Sequence, residues 1–577
     1  MDGKAEERNG QLTVPRVVDA DPEEDLLPPS GDHGRQDPPF KRLELADEGK
    51  TETGLTWRDT IPQLYVSLCA NSVVVHAGIN MAFSSILLPE LSKETSAIHV
   101  TADQASWIAS SVTLSTPIGA LAAGPLMDRW GRLTTARLAC LPLALAWATM
   151  ALSSSMWALC AGRALAGIGG GLTTVALVYV SECAHPHLRP ALLSLNSVAV
   201  SLGVLGTYAL SAALPSWRWV AWCCLGLALL SLAALSAPLE RLRPPESPHW
   251  LYLFDGNALP GDRSRGGDNV REAVEGGRRR RALAMRVLRK LNPSEAHFEE
   301  AHRRLQLQAL ERRGGAVAQW GLGQILGQSS SRRPLLLILV LFLCQQLSGT
   351  YVIVFYAVDV LRGLTGEAGS GNEANEVIAL ILLGIIRLLA SIAAAILSRH
   401  IGRKPLCAAS GIGMFIAALS SGLLDTSNGS SDDFSPSASS TWPGSALVLI
   451  HVCAAALGVL VIPWTLIGEL LPAEARGLGG GLSVCIAYAF MFAAIKGFPA
   501  AQNAIGGTKA LFLFFSASSL VGVAFLLLCI PETLGRSLHE IENHFKGVKN
   551  YKRKWWWGWN AWAHVKKSKK KIECEVG

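Results

Sequence analysis

Two glutamates and two arginines recur at one spacing in two parts of the sequence, and their charges could form ion pairs. Glu182 precedes Arg189 at the same spacing at which Glu469 precedes Arg476, and each pair follows an apolar run. A charge at the end of a hydrophobic segment is costly unless it is paired. The repeated spacing therefore indicates pairing, and the alternative is ordinary charged residues at the ends of membrane spans.

Further charged motifs repeat in the same order along the chain. The Asp-Arg-Trp-Gly-Arg hairpin at 128–132 is echoed at 398–404, and Pro-Glu-Ser at 245–247 is matched by Pro-Glu-Thr at 531–533. Together with the repeated Glu and Arg residues, these motifs are three landmarks that recur in one order, which indicates two homologous halves. Internal duplication is typical of transporters in which two helical bundles move about a central site.

Gln345 and Gln346 lie side by side inside an apolar run. Each amide group can both donate and accept hydrogen bonds. Such a pair favours recognition of a polar ligand near the middle of the membrane. Hydrogen bonding between neighbouring helices is the alternative interpretation.

Composition assigns the chain to the membrane class. Half of its 577 residues are hydrophobic, 17% are charged, and the mean hydropathy is +0.30. The net charge of +7 comes from basic residues between and after apolar runs, so it predicts membrane orientation and no nucleic-acid partner. The 12 cysteines have no metal-ligand or redox spacing, and no nucleophile and base set lies outside the apolar runs. We expect neither an enzyme nor a cofactor or metal.

The apolar runs predict an all-α membrane protein with twelve transmembrane helices in two six-helix halves. Runs of about twenty apolar residues can cross a hydrocarbon layer of ~30 Å. The predicted spans are 61–88, 107–126, 133–152, 156–180, 191–214, 217–239, 334–357, 377–397, 406–424, 446–470, 479–495 and 511–530. The even number places both termini on one side, and the basic loops identify that side as cytoplasmic.

The predicted organisation has five parts. They are a disordered cytoplasmic tail at 1–57, a first bundle at 58–239, a cytoplasmic linker at 240–333, a second bundle at 334–530 and a cytoplasmic tail at 531–577. Within the linker, charged amphipathic patterns predict short helices at 282–291 and 295–313, and the Gly/Arg/Asp-rich piece at 255–281 predicts a flexible insertion.

Two polar segments suggest further features. The loop at 425–445 falls on the outer side, and its Asn428-Gly-Ser triplet is a glycosylation acceptor. The segment at 552–571 mixes tryptophans with lysines, which favours contact with the lipid of the inner leaflet. A solvated tail without a role is the alternative for that segment.

Together the motifs resemble the sugar porter family of the Major Facilitator Superfamily over about 57–545. The motifs that carry the resemblance are 128–132, Gly162-Arg163, Glu182 with Arg189, 245–250, 345–349, Pro463-Trp464, Glu469 with Arg476, and 531–538. Phe-Tyr-Ala-Val at 355–358 and Lys-Gly-Phe-Pro at 496–499 are most similar to the facilitated trehalose transporter branch.

The resemblance implies roles for individual residues. Glu182 should pair with Arg403 or Lys404, and Glu469 with Arg129 or Arg132, so that pairs between the halves close the inner gate. The full gating set is Arg129, Arg132, Glu182, Arg189, Arg403, Glu469 and Arg476, and the substrate-binding set is Gln345, Gln346, Tyr351, Trp464 and Arg387.

The chain also departs from the family pattern. Tyr351 and Arg387 replace amide residues that many sugar porters carry, and Ser197 and Ala487 replace two more. Many of the amide residues with which sugar porters bind hexoses are therefore absent. Trehalose, a hexose or a polyol remain candidate substrates, and a sugar-sensing receptor with little flux is the rival interpretation.

Transport is expected to be facilitative. Proton-driven sugar porters that resemble this chain carry a carboxylate on the first span, where this chain has Asn80. His76, on the same span, is the alternative proton carrier. We expect a monomeric plasma-membrane protein whose partners are a small sugar and membrane lipid.

Overall fold

The structure is a computed structural model, and it describes residues 57–94, 96–237, 243–253, 268–313, 322–365, 373–423, 442–472, 475–533 and 538–546. Asn428 and the Trp/Lys-rich segment at 552–571 lie outside the described residues. Within the described ranges, ten helical segments are long and apolar enough to cross a membrane. The other two predicted spans are helical as well, one rich in Ser and Thr and one broken into three pieces.

The first half contains seven helices. They are α1 (Trp57–Ser92), α2 (Ala102–Trp130), α3 (Arg132–Ala151), α4 (Met156–Leu172), α5 (Val175–Cys183), α6 (Arg189–Ala213) and α7 (Trp217–Ser236). Helices α4 and α5 together form the fourth span. Gly131 alone joins α2 to α3, and its φ of 93° is a conformation that glycine adopts without strain.

Helices α8 (Pro248–Leu253), α9 (Asp268–Leu291), α10 (Glu295–Arg313) and α11 (Leu322–Gly327) follow. The prediction of a helix at 295–313 is confirmed by α10. The prediction of a flexible piece extending to residue 281 is wrong in its last part, because α9 begins at Asp268. Arg, Glu and Ala surround the Gly pair of this segment, and these residues favour helix.

The linker helices pack on one end of the first half. The Gln63 amide donates a hydrogen bond of 3.2 Å to the carbonyl of Leu291, and the N–H of Ser294 donates to Asp59 at 3.0 Å. Arg280 lies 5.7 Å over the Trp250 ring. We call this end of the bundle the linker side and the opposite end the far side.

The second half repeats the arrangement. Its helices are α12 (Ser329–Leu347), α13 (Thr350–Phe355), α14 (Ala357–Thr365), α15 (Glu373–His400), α16 (Arg403–Leu423), α17 (Trp442–Leu457), α18 (Ile462–Leu470), α19 (Arg476–Ile505) and α20 (Thr508–Cys529), followed by α21 (Leu538–Lys546). Helices α12 to α14 form the seventh span, and α17 and α18 form the tenth.

The seventh span breaks at Gly349 and Tyr356. Gly349 has a φ of 75°, and a Cβ added there would lie 2.5 Å from the Phe515 ring, so glycine is required on both counts. Broken helices leave backbone carbonyls free for other partners, and in membranes they occur where protein or a cavity surrounds them. Here the freed carbonyl of Val354 accepts a hydrogen bond from Ser85 of the first half.

Glycines bring α2 and α4 into close contact. A Cβ on Gly167 would lie 2.2 Å from the carbonyl oxygen of Val112, and one on Gly171 would lie 2.2 Å from that of Thr116. Small residues of this kind let membrane helices approach closely. The two halves meet mainly where α2 packs against α19 and where α6 packs against α15.

Candidate functional site

A charged cluster on the linker side holds the α2 to α3 hairpin of the first half. The Arg132 guanidinium donates to both oxygens of Glu182 at 2.9–3.1 Å. Glu246 accepts hydrogen bonds from the N–H groups of Arg132 at 2.9 Å and Leu133 at 3.0 Å. A carboxylate at the amino end of α3 is stabilised by these free N–H groups and by the helix dipole. Ser247 donates to Glu182 and completes the cluster.

Burial and hydrogen bonding act in opposite directions on Glu246. Removal from water raises the pKa of this carboxyl above its usual value, and the N–H groups of Leu133, Ser247 and Arg132 lower it. The net pKa is raised. Glu246 is therefore a capping group whose ionised form depends on three backbone donors.

The second half contains a cluster of the same construction. Arg403 donates to Glu469 at 3.1 and 3.3 Å. Glu532 accepts from the N–H groups of Arg403 at 2.9 Å and Lys404 at 3.0 Å, and Thr533 donates to Glu469 at 2.6 Å. The repeated sequence motifs thus have repeated geometry.

The predicted pairing across the halves is wrong in this structure. Glu182 pairs with Arg132, not with Arg403 or Lys404, and Glu469 pairs with Arg403, not with Arg129 or Arg132. The reason is local. Each arginine stands at the first turn of a helix directly beside the glutamate of its own half, so the shortest contacts are made within that half.

The remaining predicted gating residues have different surroundings. The side chain of Arg129 is exposed. Arg189 is half-buried and interacts electrostatically with Glu182 and Arg304. Arg476 is the first residue of α19, but its side chain lies outside the described residues.

A small cleft lies between the two halves. Thr113 and Thr116 of α2 contribute hydroxyl groups, and Asn80 of α1 contributes an amide whose oxygen has no hydrogen-bond partner among the described residues. Phe355 and Tyr488 line it from the second half. Hydroxyl, amide and aromatic groups facing one cavity can bind a ligand that carries many hydroxyls.

Sequence reasoning missed Thr113, Thr116 and Tyr488. A signal was present, because Ser106, Ser110 and Thr113 recur at helical spacing along α2 and are all buried. A polar stripe on one face of an apolar helix points to a cavity or to another helix.

The predicted substrate-binding residues fall into two places. The Gln345 amide donates to the carbonyl of Val459 at 2.6 Å and lines a separate small cavity inside the second half. Gln346 is buried, and neither atom of its amide has a hydrogen-bond partner in the described part of the chain. Among the described residues both amide groups of Gln346 are thus unused, whereas only the amide oxygen of Gln345 is.

Tyr351 and Trp464 form a bonded pair beside the cleft. The indole N–H of Trp464 donates to the Tyr351 hydroxyl at 3.2 Å. The Trp464 ring lies 5.6 Å from the ring of Tyr488, which lines the cleft. Tyr488 therefore lies between this pair and the cleft.

Arg387 lies in the second half and is buried, with 4% of its surface exposed. Its Nε and Nη1 groups have no hydrogen-bond partner among the residues that the structure describes. The hydroxyls of Tyr351 and Tyr208 interact with it electrostatically.

Asn80 lies beside a second buried arginine. Arg163 is fully buried and donates to the Asn80 carbonyl at 2.8 Å, to the Ser84 hydroxyl at 2.5 Å and to the Ile108 carbonyl at 3.3 Å. These three acceptors are all neutral. His76 is fully buried on α1, the helix that carries Asn80, and it lies near the backbone of Leu227.

Contacts between the halves close the far side of the cleft. The Lys496 ammonium of α19 lies 2.5 Å from the Asp103 carboxylate and 2.7 Å from the Ser106 hydroxyl of α2. Ser85 donates to the Val354 carbonyl at 2.5 Å. Near the middle of the bundle, Ser201 and Ser391 share a hydrogen bond of 2.7 Å.

Comparison with known proteins agrees with this architecture. Residues 71–495 match the Major Facilitator Superfamily. The chain belongs to this superfamily. A facilitated trehalose transporter Tret1 of Polypedilum vanderplanki is 28% identical over 527 residues, which are 89% of this chain and 95% of that relative. The facilitated glucose transporter member 6 of solute carrier family 2 from Mus musculus is 31% identical over 481 residues, covering 81% of this chain and 88% of that relative.

Solved structures share the fold of this facilitator superfamily member. The proton:xylose symporter XylE bound to 6-bromo-6-deoxy-D-glucose has a TM-score of 0.65 at 20% identity, covering 84% of this chain and 100% of that chain. XylE from E. coli in an inward open conformation has a TM-score of 0.61 at 20% identity, covering 83% and 99%. The predicted twelve-helix major facilitator architecture, with two six-helix halves, is thereby confirmed.

Proposed function

We propose that the protein carries a sugar across a membrane by facilitated alternating access, with the cleft between the halves as the binding site. The observation that carries this proposal is the cleft itself, which joins hydroxyl and amide groups of the first half to an aromatic ring of the second. The names of the relatives make trehalose and glucose the first sugars to test.

The proposed orientation places the linker side in the cytoplasm. Four consecutive arginines, residues 278–281, lie in the linker helix α9, and basic segments favour the cytoplasmic side. Both termini would then be cytoplasmic, in a plasma-membrane protein that acts as a monomer. The loop containing Asn428 would be external and open to glycosylation.

In that orientation the structure is an inward-facing state. Lys496 and Ser85 tie the halves together on the outer side, whereas the two arginine clusters of the inner side each bond within their own half. The gating proposal is therefore revised. Each cluster fixes one hairpin, so that its half moves as a rigid body between states.

Proposed roles follow from the free polar groups. Gln346 hydrogen-bonds the sugar hydroxyls, the Tyr351 and Trp464 pair forms one wall, and Arg387 adds a guanidinium from the second half. Gln345 instead holds the Val459 carbonyl beside the separate cavity. The Asn80 amide does not titrate near neutral pH, so we expect transport without coupling to protons.

Uptake of labelled trehalose and glucose into proteoliposomes tests the proposal, with a variant that fills the cleft. A Cβ on Gly170 would lie 3.7 Å from the Asn80 amide nitrogen, so Gly170→Phe should abolish saturable uptake. The matched control is Gly226→Phe on α7, where an added Cβ meets nothing within 4 Å. Equal uptake by both variants would contradict the placement of the site, and no uptake of any sugar by the unmodified protein would contradict the function.

A further inference from the structure

Arg387 is a buried cation whose charge is not balanced by a neighbouring acid. Within the described residues it forms no ion pair, and two of its nitrogen groups make no hydrogen bond. Two phenols, Tyr351 and Tyr208, lie within electrostatic range of it. A buried guanidinium without an anion is costly in a membrane protein, and such residues mark substrate or ion pathways.

Two contacts fix the position of Arg387 at the boundary between the halves. One turn before it, a Cβ on Gly384 would lie 2.9 Å from the Cα of Leu205 on α6. One turn after it, Ser391 hydrogen-bonds Ser201 on α6 at 2.7 Å. Arg387 therefore lies on the face of α15 that contacts the first half.

A series of neighbouring side chains leads from Arg387 toward the cleft. Tyr351 lies within electrostatic range of Arg387 and accepts the hydrogen bond of Trp464. The Trp464 ring contacts Tyr488, and Tyr488 lines the cleft. Phe355, one turn after Tyr351 on α13, lines the cleft as well. Arg387 is thus linked to the cleft wall through Tyr351, and it is buried inside the protein.

We infer that Arg387 selects a sugar that carries a carboxylate, such as a hexuronate, with the carboxylate at Arg387 and the hydroxyls at the cleft. This inference rests on the proposed function and narrows its substrate. A guanidinium binds carboxylate through charge-assisted hydrogen bonds. One cation neutralises one carboxylate, whereas a phosphate dianion would leave a net negative charge buried. A neutral sugar would leave the cation without a counter-charge.

The test measures competition and direct uptake in proteoliposomes that contain the full chain. Labelled glucuronate and labelled glucose are compared at neutral pH, with each unlabelled sugar as competitor. We expect glucuronate to be taken up in preference to glucose. Arg387→Gln should lower glucuronate uptake by at least about tenfold and abolish the preference for glucuronate over glucose, and Arg387→Lys should retain part of that preference.

The control is Arg362→Gln, which removes one positive charge from the same half. Arg362 pairs with Glu376 near the far end of α15, and 38% of its side chain is exposed. This variant should keep the preference of the unmodified protein, because the site at Arg387 is intact.

Three results would overturn the inference. Saturable glucose uptake that excess glucuronate does not reduce would show that the site does not bind carboxylate. An unchanged preference in a folded Arg387→Gln variant would show that Arg387 does not select the substrate. Inhibition of glucuronate uptake by chloride but not by sulfate would show that Arg387 binds an inorganic anion instead of the sugar carboxylate. Failure of the proposed function is distinguishable, because then neither sugar enters.

Discussion

The ammonium of Lys496 and the carboxylate of Asp103 lie 2.5 Å apart, and they belong to opposite halves of the protein. Lys496 also lies 4.7 Å over the ring of Trp107. Pairs of this kind must separate if the far side is to open. They therefore set part of the free-energy difference between the two conformations.

The first prediction concerns this pair. Asp103 is 77% exposed, so water and salt screen the interaction and its value is at most about 1 kcal/mol. Lys496→Gln should increase the labelling of a cleft cysteine from the far side by a few-fold. Lys93→Gln is the control, because Lys93 pairs with Glu90 of its own half. Equal labelling of the two variants would show that Lys496 does not hold the halves together.

The second prediction compares the two arginine clusters. The side chains of Arg132 and Glu182 are 8% and 16% exposed, whereas those of Arg403 and Glu469 are 20% and 27% exposed. Loss of a partner costs more where the remaining charge is more buried. Glu182→Gln should lower the free energy of unfolding by about 2 kcal/mol, and Glu469→Gln should lower it by less.

Thermal unfolding of the purified protein measures this difference. Glu295→Gln serves as the control, since Glu295 and Arg289 form a pair that is more than half exposed. A larger effect at Glu469 than at Glu182 would contradict the argument from burial.

The third prediction separates the two glutamines of the seventh span. Gln346→Ala removes the amide that has no hydrogen-bond partner among the described residues, so it should reduce sugar uptake by about tenfold with little loss of stability. Gln345→Ala breaks the bond to the Val459 carbonyl, so it should lower stability more than affinity. Gln502→Ala, which removes a far-side bond to Thr508, is the control for uptake. The reverse order of the two glutamine effects on uptake would refute the assignment.

The fourth prediction concerns acidification. Burial lowers the pKa of His185 and of His249 below the ordinary value of 6.5. The unfolded chain therefore binds more protons than the folded chain below pH 6.5, and stability falls as the pH drops from 6.5 toward the folded pKa values. The melting temperature should be lower at pH 5.5 than at pH 7.5. His249→Gln should reduce the difference by on the order of 2 °C, and a pH profile unchanged by this substitution would contradict the prediction.

Much of the fold could be predicted from the sequence, because hydrophobic length and repeated motifs report directly on spans and duplication. Arg387 was singled out by the family resemblance, because it stands where many sugar porters carry an amide residue. The partners of Glu182 and Glu469 could not be predicted, because identical motifs in both halves allow pairing within or between them. Thr113 and Thr116 were missed because hydroxyl residues on a helix can bond their own backbone. The side chain of Gln345 points where the rotation of α12 about its axis places it, and the packing of α12 against neighbouring helices sets that rotation.

Counterflow tests the central claim that this protein is a carrier whose cleft opens alternately to the two sides. Proteoliposomes are loaded with unlabelled sugar and diluted into labelled sugar, with and without an imposed pH gradient. A carrier of this kind should give a transient accumulation of label. The label should then decay to the same equilibrium whether or not the pH gradient is imposed. Absence of the transient would contradict alternating access. Lasting accumulation that a protonophore abolishes would contradict facilitative transport and the role given to Asn80.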